Sequence, residues 1–230
     1  TYERIKQAMQ SRLARIAGNT HLPRMQQSAL SLANAQMSVG QLQDLRSYLP
    51  DDLDELDNKV ISQAKVIAAA CKAGICNGAN LYLGGFDTHS YHNSAHPKRL
   101  LQLLMAVDTL MDEARRFGIQ DRMLVVMGSE FTRTPYYNDS EPAGKDHWKS
   151  NSFMLMGPGI EGDRVVGRTD NQLKPVPVPV SGPVIMPAGG TVPSAIIGAH
   201  DVHASLRTHL GIDGLASNYP LDTPKFDFFA

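Results

Sequence analysis

Cysteine is nearly absent: Cys71 and Cys76 are the two cysteines in 230 residues. With no second pair, a zinc ribbon is excluded. Cys71 should close a helix and Cys76 should lead into a strand. They are either a bridge across that turn, which needs an oxidising compartment, or two small buried residues. Charge of one sign is also lacking. Twenty-two basic residues face 23 acidic ones, for a net charge of −1, and no polybasic run occurs. That balance argues against a nucleic-acid groove and against a basic membrane-docking surface. No stretch approaches the roughly 20 apolar residues of a spanning helix. No Gly-x-Gly-x-x-Gly or P-loop pattern supports nucleotide binding. The Gly-x-Ser-x-Gly elbow is missing around Ser129, which excludes a serine hydrolase of that type. No signal peptide is visible, and the chain opens on Thr1 without a start methionine, so the compartment is not legible from targeting.

What is present suits a folded α/β protein. An apolar fraction of 42% is enough for a core. The length fits one domain, or one domain with a small appendage. Residues 1–78 read as a helical region. Ile5, Met9, Leu13 and Ile16 recur at helical spacing up to Gly18 and Asn19. A second helix fits residues 24–38. A third is introduced by Pro50 and the acidic run Asp51–Asp57, which favours a helix start. Its stripe is Leu53, Leu56, Val60, Ala64, Ile67 and Cys71, and Gly74 caps it.

The texture changes after residue 78, and residues 79–230 read as an α/β region. Leu81-Tyr82-Leu83 is a short apolar strand ending in Gly84-Gly85. A helix follows from about Pro97, with Leu100, Leu103, Leu104, Val107, Leu110, Met111 and Ala114 on its buried face and Gly118 at its end. Met123–Met127 is a continuous apolar run, expected for a strand buried on both faces. Strand, helix, strand implies a right-handed crossover and a parallel sheet. Phe153–Met156 is a further strand and Arg164–Val166 another short one. Residues 174–193, rich in proline and glycine, form a surface excursion or an edge hairpin. The last helix runs from about Asp201 to Leu210, with Val202, Leu206 and Leu210 inward. The first 78 residues offer no strand, so the sheet's remaining strands are expected in a part of the protein preceding this sequence.

Sites in open α/β sheets lie beyond the carboxyl ends of strands. Three polar groups fall there. In Gly84-Gly85-Phe86-Asp87-Thr88-His89, an extended backbone points Asp87 and His89 to the same side, an arrangement that suits a divalent cation. In Gly128-Ser129-Glu130-Phe131-Thr132-Arg133-Thr134, Glu130 can ligate a metal or act as a base. Arg133 can pair with a carboxylate or hold a sulfate or phosphate. Asp146-His147-Trp148 precedes the next strand, with Trp148 either walling the site or anchoring a loop. Each group alone has an ordinary structural role: a cap, a local ion pair between Glu130 and Arg133, or a loop contact. Together they favour a site. His200 is either a late ligand or a helix-end histidine facing water, and His92 and His96 belong with the helix start.

These three segments resemble an uncharacterised, often exported, sulfatase-like bacterial family, a domain of unknown function placed in the alkaline-phosphatase superfamily. The resemblance covers roughly residues 60–212. It implies the C-terminal part of a three-layer fold, a mostly parallel sheet with flanking helices, and metals held by Asp and His at strand ends. It further implies hydrolysis of sulfate or phosphate esters with a divalent ion (zinc, manganese, calcium or magnesium), and a periplasmic or secreted location. Carried over by position, Asp87, His89, Asp146, His147 and His200 are candidate metal ligands, and Glu130 and Arg133 are candidate catalytic groups. Asp146-His147 matches the superfamily's adjacent Asp-His pair in composition, whereas Ser129-Glu130 matches it in placement after a buried strand. The family's glycine is replaced by Thr132, and the superfamily's nucleophile and first metal-binding aspartate have no counterpart in residues 1–78. The expected function is therefore a metal-dependent hydrolase-like domain that is incomplete by itself. The alternative is a non-catalytic scaffold used for binding or assembly, with residues 1–74 docking a partner. Exposed sheet edges favour a homodimer.

Overall fold

The computed structural model describes residues 2–19, 23–51, 53, 58–179, 194–214, 219–221, 223 and 229. It is a mixed α/β structure in two compact units. One comprises Thr1–Gly84 and Arg99–Gln120, the other Gly85–Lys98 and Asp121–Ala230.

The first unit is helical. Helix α1 (Tyr2–Asn19) packs against α2 (Pro23–Tyr48), and α2 against α3 (Lys59–Lys72). α2 continues ten residues beyond the expected residue 38, because the chain from Val39 to Tyr48 holds no breaker except Gly40, which is buried within the helix. α3 starts at Lys59 and not after Pro50. The side chain of Asn58 supplies the cap, accepting from the Val60 amide at 3.3 Å. Residues 52 and 54–57 of the acidic run lie outside the described residues. Val60, Ala64, Ala68 and Ala69 form the buried face of α3. Gly74, at φ +70°, ends it as expected of a left-handed cap.

Helix α4 (His92–Arg116) begins five residues before Pro97, which therefore stands inside its second turn. The amide it lacks would have bonded the Asn93 carbonyl one turn back, so the proline removes one helical hydrogen bond near the start of α4. The buried stripe of α4 is Ala106, Leu110 and Ala114, whereas Leu100 and Leu104, expected inward, are more than 40% exposed. Phe117 and Ile119 complete the apolar set after the helix. Tyr48 meets the Phe117 ring edge-on at 5.4 Å, and Lys72 Nζ donates to the Phe117 carbonyl at 2.8 Å.

The second unit contains three two-stranded antiparallel sheets and no parallel pairing among the described residues. β1 (Val125–Met127) pairs with β4 (Met154–Met156), β2 (Thr132–Arg133) with β3 (His147–Trp148), and β5 (Val178–Pro179) with β6 (Ser194–Ala195). The expected parallel sheet and its crossover are thus corrected. A strand needs a paired neighbour, and Leu81–Leu83 has none among the described residues, where it is irregular with Tyr82 81% exposed. The apolar run before Gly128 shortens to three paired residues, and Val126 faces outward because a two-stranded sheet cannot cover both sides. Arg164–Val166 is also not a strand. Val165 is exposed, while Val166 packs with Ala195 and Ile197 around the buried Val178. The β5–β6 pairing flanks the Pro/Gly-rich segment, most of which (residues 180–193) lies outside the described residues. Helix α5 (Ala199–His209) is capped by Asp201, whose Oδ2 accepts from the Gly198 amide at 2.6 Å. Val202 and Leu206 are buried, but Leu210 caps the end and is exposed.

Candidate metal centre

Asp87, Thr88 and His89 leave the turn after Phe86 in alternating directions. Thr88 is buried, while Asp87 and His89 emerge together. The Thr88 carbonyl accepts from the Lys145 amide at 3.0 Å, which ties this segment to the residues before β3. The β2–β3 register does the rest. Arg133 stands opposite His147, so the guanidinium and the imidazole enter from neighbouring strands.

Three ligand-type atoms converge. Asp87 Oδ1 lies 3.0 Å from His89 Nε2 and 3.2 Å from His147 Nε2, and the two Nε2 atoms are 3.1 Å apart. This is the group of three among the described residues with metal-ligand spacing. A tetrahedral cation with bonds of about 2.0–2.1 Å needs ligand atoms about 3.3–3.4 Å apart, so the triangle needs to open by only a few tenths of an ångström.

The hydrogen bonding orients the His89 ring. Asp146 Oδ1 sits 2.8 Å from His89 Nδ1. A carboxylate accepts only, so Nδ1 is the donor, and in the neutral ring this leaves the lone pair on Nε2, toward the triangle. Asp146 is in turn held by Asn138, whose Nδ2 donates to Asp146 Oδ1 at 2.9 Å and to the His89 carbonyl at 3.0 Å. These bonds draw the Asp146 carboxyl below its usual range, Asn138 first and His89 second. Asp87 is drawn further, to about 2, by the Arg133 hydrogen bond first and then by that of His147. Arg133 Nη2 donates to Asp87 Oδ1 at 2.6 Å and its Nη1 to the Lys145 carbonyl at 3.0 Å. The guanidinium is 10% exposed beneath a carboxylate that is 69% exposed, so it is a fixed support and the carboxylate is the accessible partner.

The site residues read from the sequence therefore divide. Asp87, His89 and His147 share the triangle, with Asp146 behind His89 and Arg133 behind Asp87. Glu130 is exposed on the bend between β1 and β2 and is outside the group, and Arg133 pairs with Asp87 and not with Glu130. His200 is also outside it, 3.5 Å from Asp201 at the start of α5. Trp148 anchors a loop, its Nε1 donating to the Leu173 carbonyl at 3.1 Å. Ser129 Oγ meets the Phe131 carbonyl and Asn151 Oδ1. His92 and His96 stack on each other at 4.7 Å, with His92 Nδ1 2.7 Å from Thr88 Oγ1. The sequence reading missed Asn138, Ser140 and Gly144. Asn138 Oδ1 accepts from the amides of Ser140 and Gly144, at 3.2 and 3.0 Å, and Ser140 Oγ donates to the His89 carbonyl at 2.8 Å. An Asn two residues before a Ser is a local turn signature and could have marked this loop. Gly144 is required for steric reasons, since a Cβ there would overlap the His89 carbonyl.

Fold and site together define a mixed α/β protein with an Asp/His/His group of cation-ligand spacing. The chain belongs to the family described as Protein of unknown function (DUF1501), whose model matches residues 4–222. No curated protein and no solved structure matches it.

Proposed function

We propose that Asp87, His89 and His147 hold a divalent cation, and that the protein is a metal-dependent hydrolase of the sulfatase or phosphatase type, acting on sulfate or phosphate esters. The observation that supports this reading most is the triangle itself. With His89 neutral, its Nε2 and Asp87 Oδ1 both present lone pairs and face each other at 3.0 Å, a contact that is repulsive unless a proton or a cation lies between them. A neutral His147 can supply one proton from Nε2, shared between Asp87 and His89. A cation relieves all three contacts at once.

When bound, the cation would neutralise charge developing on an ester oxygen. The chain's own part is positional. Asp146 sets the His89 tautomer, and the Phe131 ring, 4.0 Å from that of His147, limits its tilt. Arg133 holds Asp87 and keeps it ionised, which makes it a positioning residue in this geometry. Glu130 remains the candidate base only if it swings toward an ester seated on the exposed side. The membership of the alkaline-phosphatase superfamily, and the periplasmic or secreted location that goes with it, belong to this proposal.

A second reading has one observation in its favour. Each group of the triangle already has protein partners, and half or more of the Asp87 and His147 side chains is exposed, as in a surface hydrogen-bond cluster on a binding scaffold. Elemental mass spectrometry of purified wild type and of an Asp87→Ala/His147→Ala double variant separates the two. Near-stoichiometric zinc, manganese, calcium or magnesium, lost in the variant, supports the cation site. Turnover of aryl sulfates or phosphates that follows the metal supports the hydrolase. A metal-free wild type that also fails to take up added cations sinks the first reading and leaves the scaffold.

A further inference from the structure

Away from the candidate metal centre, the end of α3 brings two thiols into contact. The Sγ atoms of Cys71 and Cys76 lie 3.5 Å apart, and both are free thiols. The backbone explains the proximity. The Gly74 amide bonds the Cys71 carbonyl at 3.1 Å and the Ile75 amide bonds the Ala70 carbonyl at 3.0 Å, a paired closure that folds the chain back over the last helical turn. Gly74 supplies the left-handed residue at φ +70°. The turn is held from outside as well, since Gln41 Nε2 donates to the Gly74 carbonyl at 3.1 Å. Cys76 is thereby delivered to Cys71 by a structure that forms without any bond between the sulfurs. Bond formation then needs an approach of about 1.5 Å.

We propose that Cys71 and Cys76 are a reversible disulfide site, which takes a small-molecule or protein disulfide as its reaction partner and staples the last turn of α3 to the turn that follows. The exchange balances. The Cys76 thiolate attacks one sulfur of the external disulfide and forms a mixed disulfide with it, while the other sulfur leaves as a thiolate and takes up a proton. Cys71, deprotonated, then attacks the Cys76 sulfur and expels the second thiol. Two cysteine thiols are oxidised, one external disulfide is reduced to two thiols, and no other reactant is required. Burial, with the neighbouring Cys76, pushes the Cys71 thiol up to about 11, so Cys71 is the slower first nucleophile and the natural second one. Both residues are half-buried, within reach of a small reagent.

The test equilibrates the folded wild-type chain with reduced and oxidised glutathione over a series of ratios, then alkylates free thiols and maps the products by peptide mass spectrometry. The same series is run in concentrated urea. The folded chain is expected to form the Cys71–Cys76 linkage at a poise at least about tenfold more reducing than the unfolded chain, and the oxidised protein should resist urea by the same factor, about 1.4 kcal/mol. Cys71→Ser and Cys76→Ser should each halt at a single glutathione adduct. The proposal is overturned if the folded wild type stays dithiol, stops at glutathione adducts, or closes no more readily than the unfolded chain.

Discussion

His89 stands between two carboxylates, and the proton on its Nδ1 decides which way it works. Asp146 takes that proton as a hydrogen bond, which aims Nε2 at Asp87 and His147. Asp146→Asn removes the obligate acceptor, because an amide can present either its oxygen or its NH2 to the ring. The expected outcome is a loss of zinc affinity of about 10–100-fold with the fold retained, read by competition against a chromogenic chelator and by circular dichroism. Unchanged affinity would remove Asp146 from the site. A separate residue-scale expectation concerns Gly144, whose missing side chain lets the 138–147 loop touch the His89 carbonyl. Gly144→Ala forces backbone away from backbone. It should cost about 1–3 kcal/mol in urea unfolding and weaken cation binding together with stability. A variant as stable as wild type would show that the loop can shift at no cost.

At the scale of elements, the first turns of α4 carry a stacked histidine pair that should be visible in the pH dependence of stability. Burial lowers both His92 and His96 below the ordinary histidine value; His96, and then Lys145 and Arg133, add to this for His92, as Arg133 and then Lys145 do for His96. A lowered folded-state value means that the unfolded chain takes up protons first. The stability they contribute is therefore whole above about pH 6.5 and declines as pH falls through that value toward the lower folded one. Urea midpoints measured from about pH 8 to about pH 5, a window that brackets the ordinary histidine value, should fall more steeply for wild type than for His92→Gln/His96→Gln. Parallel curves would show that the pair stays as accessible to protons folded as unfolded. The elements also show what a sequence can reveal. The Val60 and Ala64 part of α3's stripe and its Gly74 stop were readable because helix periodicity and capping are local, whereas the buried Ala68 and Ala69 were not in the expected stripe. The strand at 125–127 was readable as apolar, but its partner and direction were not, because pairing with Met154–Met156 depends on a loop whose path no local pattern encodes. The candidate site was legible in the same measure. The Asp87-x-His89 alternation predicts convergence, whereas the Arg133–His147 register and the Asn138 bracket are long-range facts.

At the scale of the whole molecule, a bound cation should appear as stability, since a ligand that favours the folded chain shifts the unfolding equilibrium by mass action. The triangle exists only when residues 87–89 and 133–147 are folded together, so an unfolded chain offers its ligands singly. Zinc at about 100 times its dissociation constant should add about 2.7 kcal/mol, a large share of a net stability that is only about 5–15 kcal/mol for a domain. The increment should vanish in Asp87→Ala/His147→Ala. It should also grow with rising pH, because a cation takes a histidine ligand only in its unprotonated form. Thermal unfolding with and without zinc, at two pH values and in both proteins, measures all of this. A zinc increment that survives in the double variant would place the cation elsewhere, and none in the wild type would leave the triangle as a proton-bridged cluster, with the hydrolase reading lost.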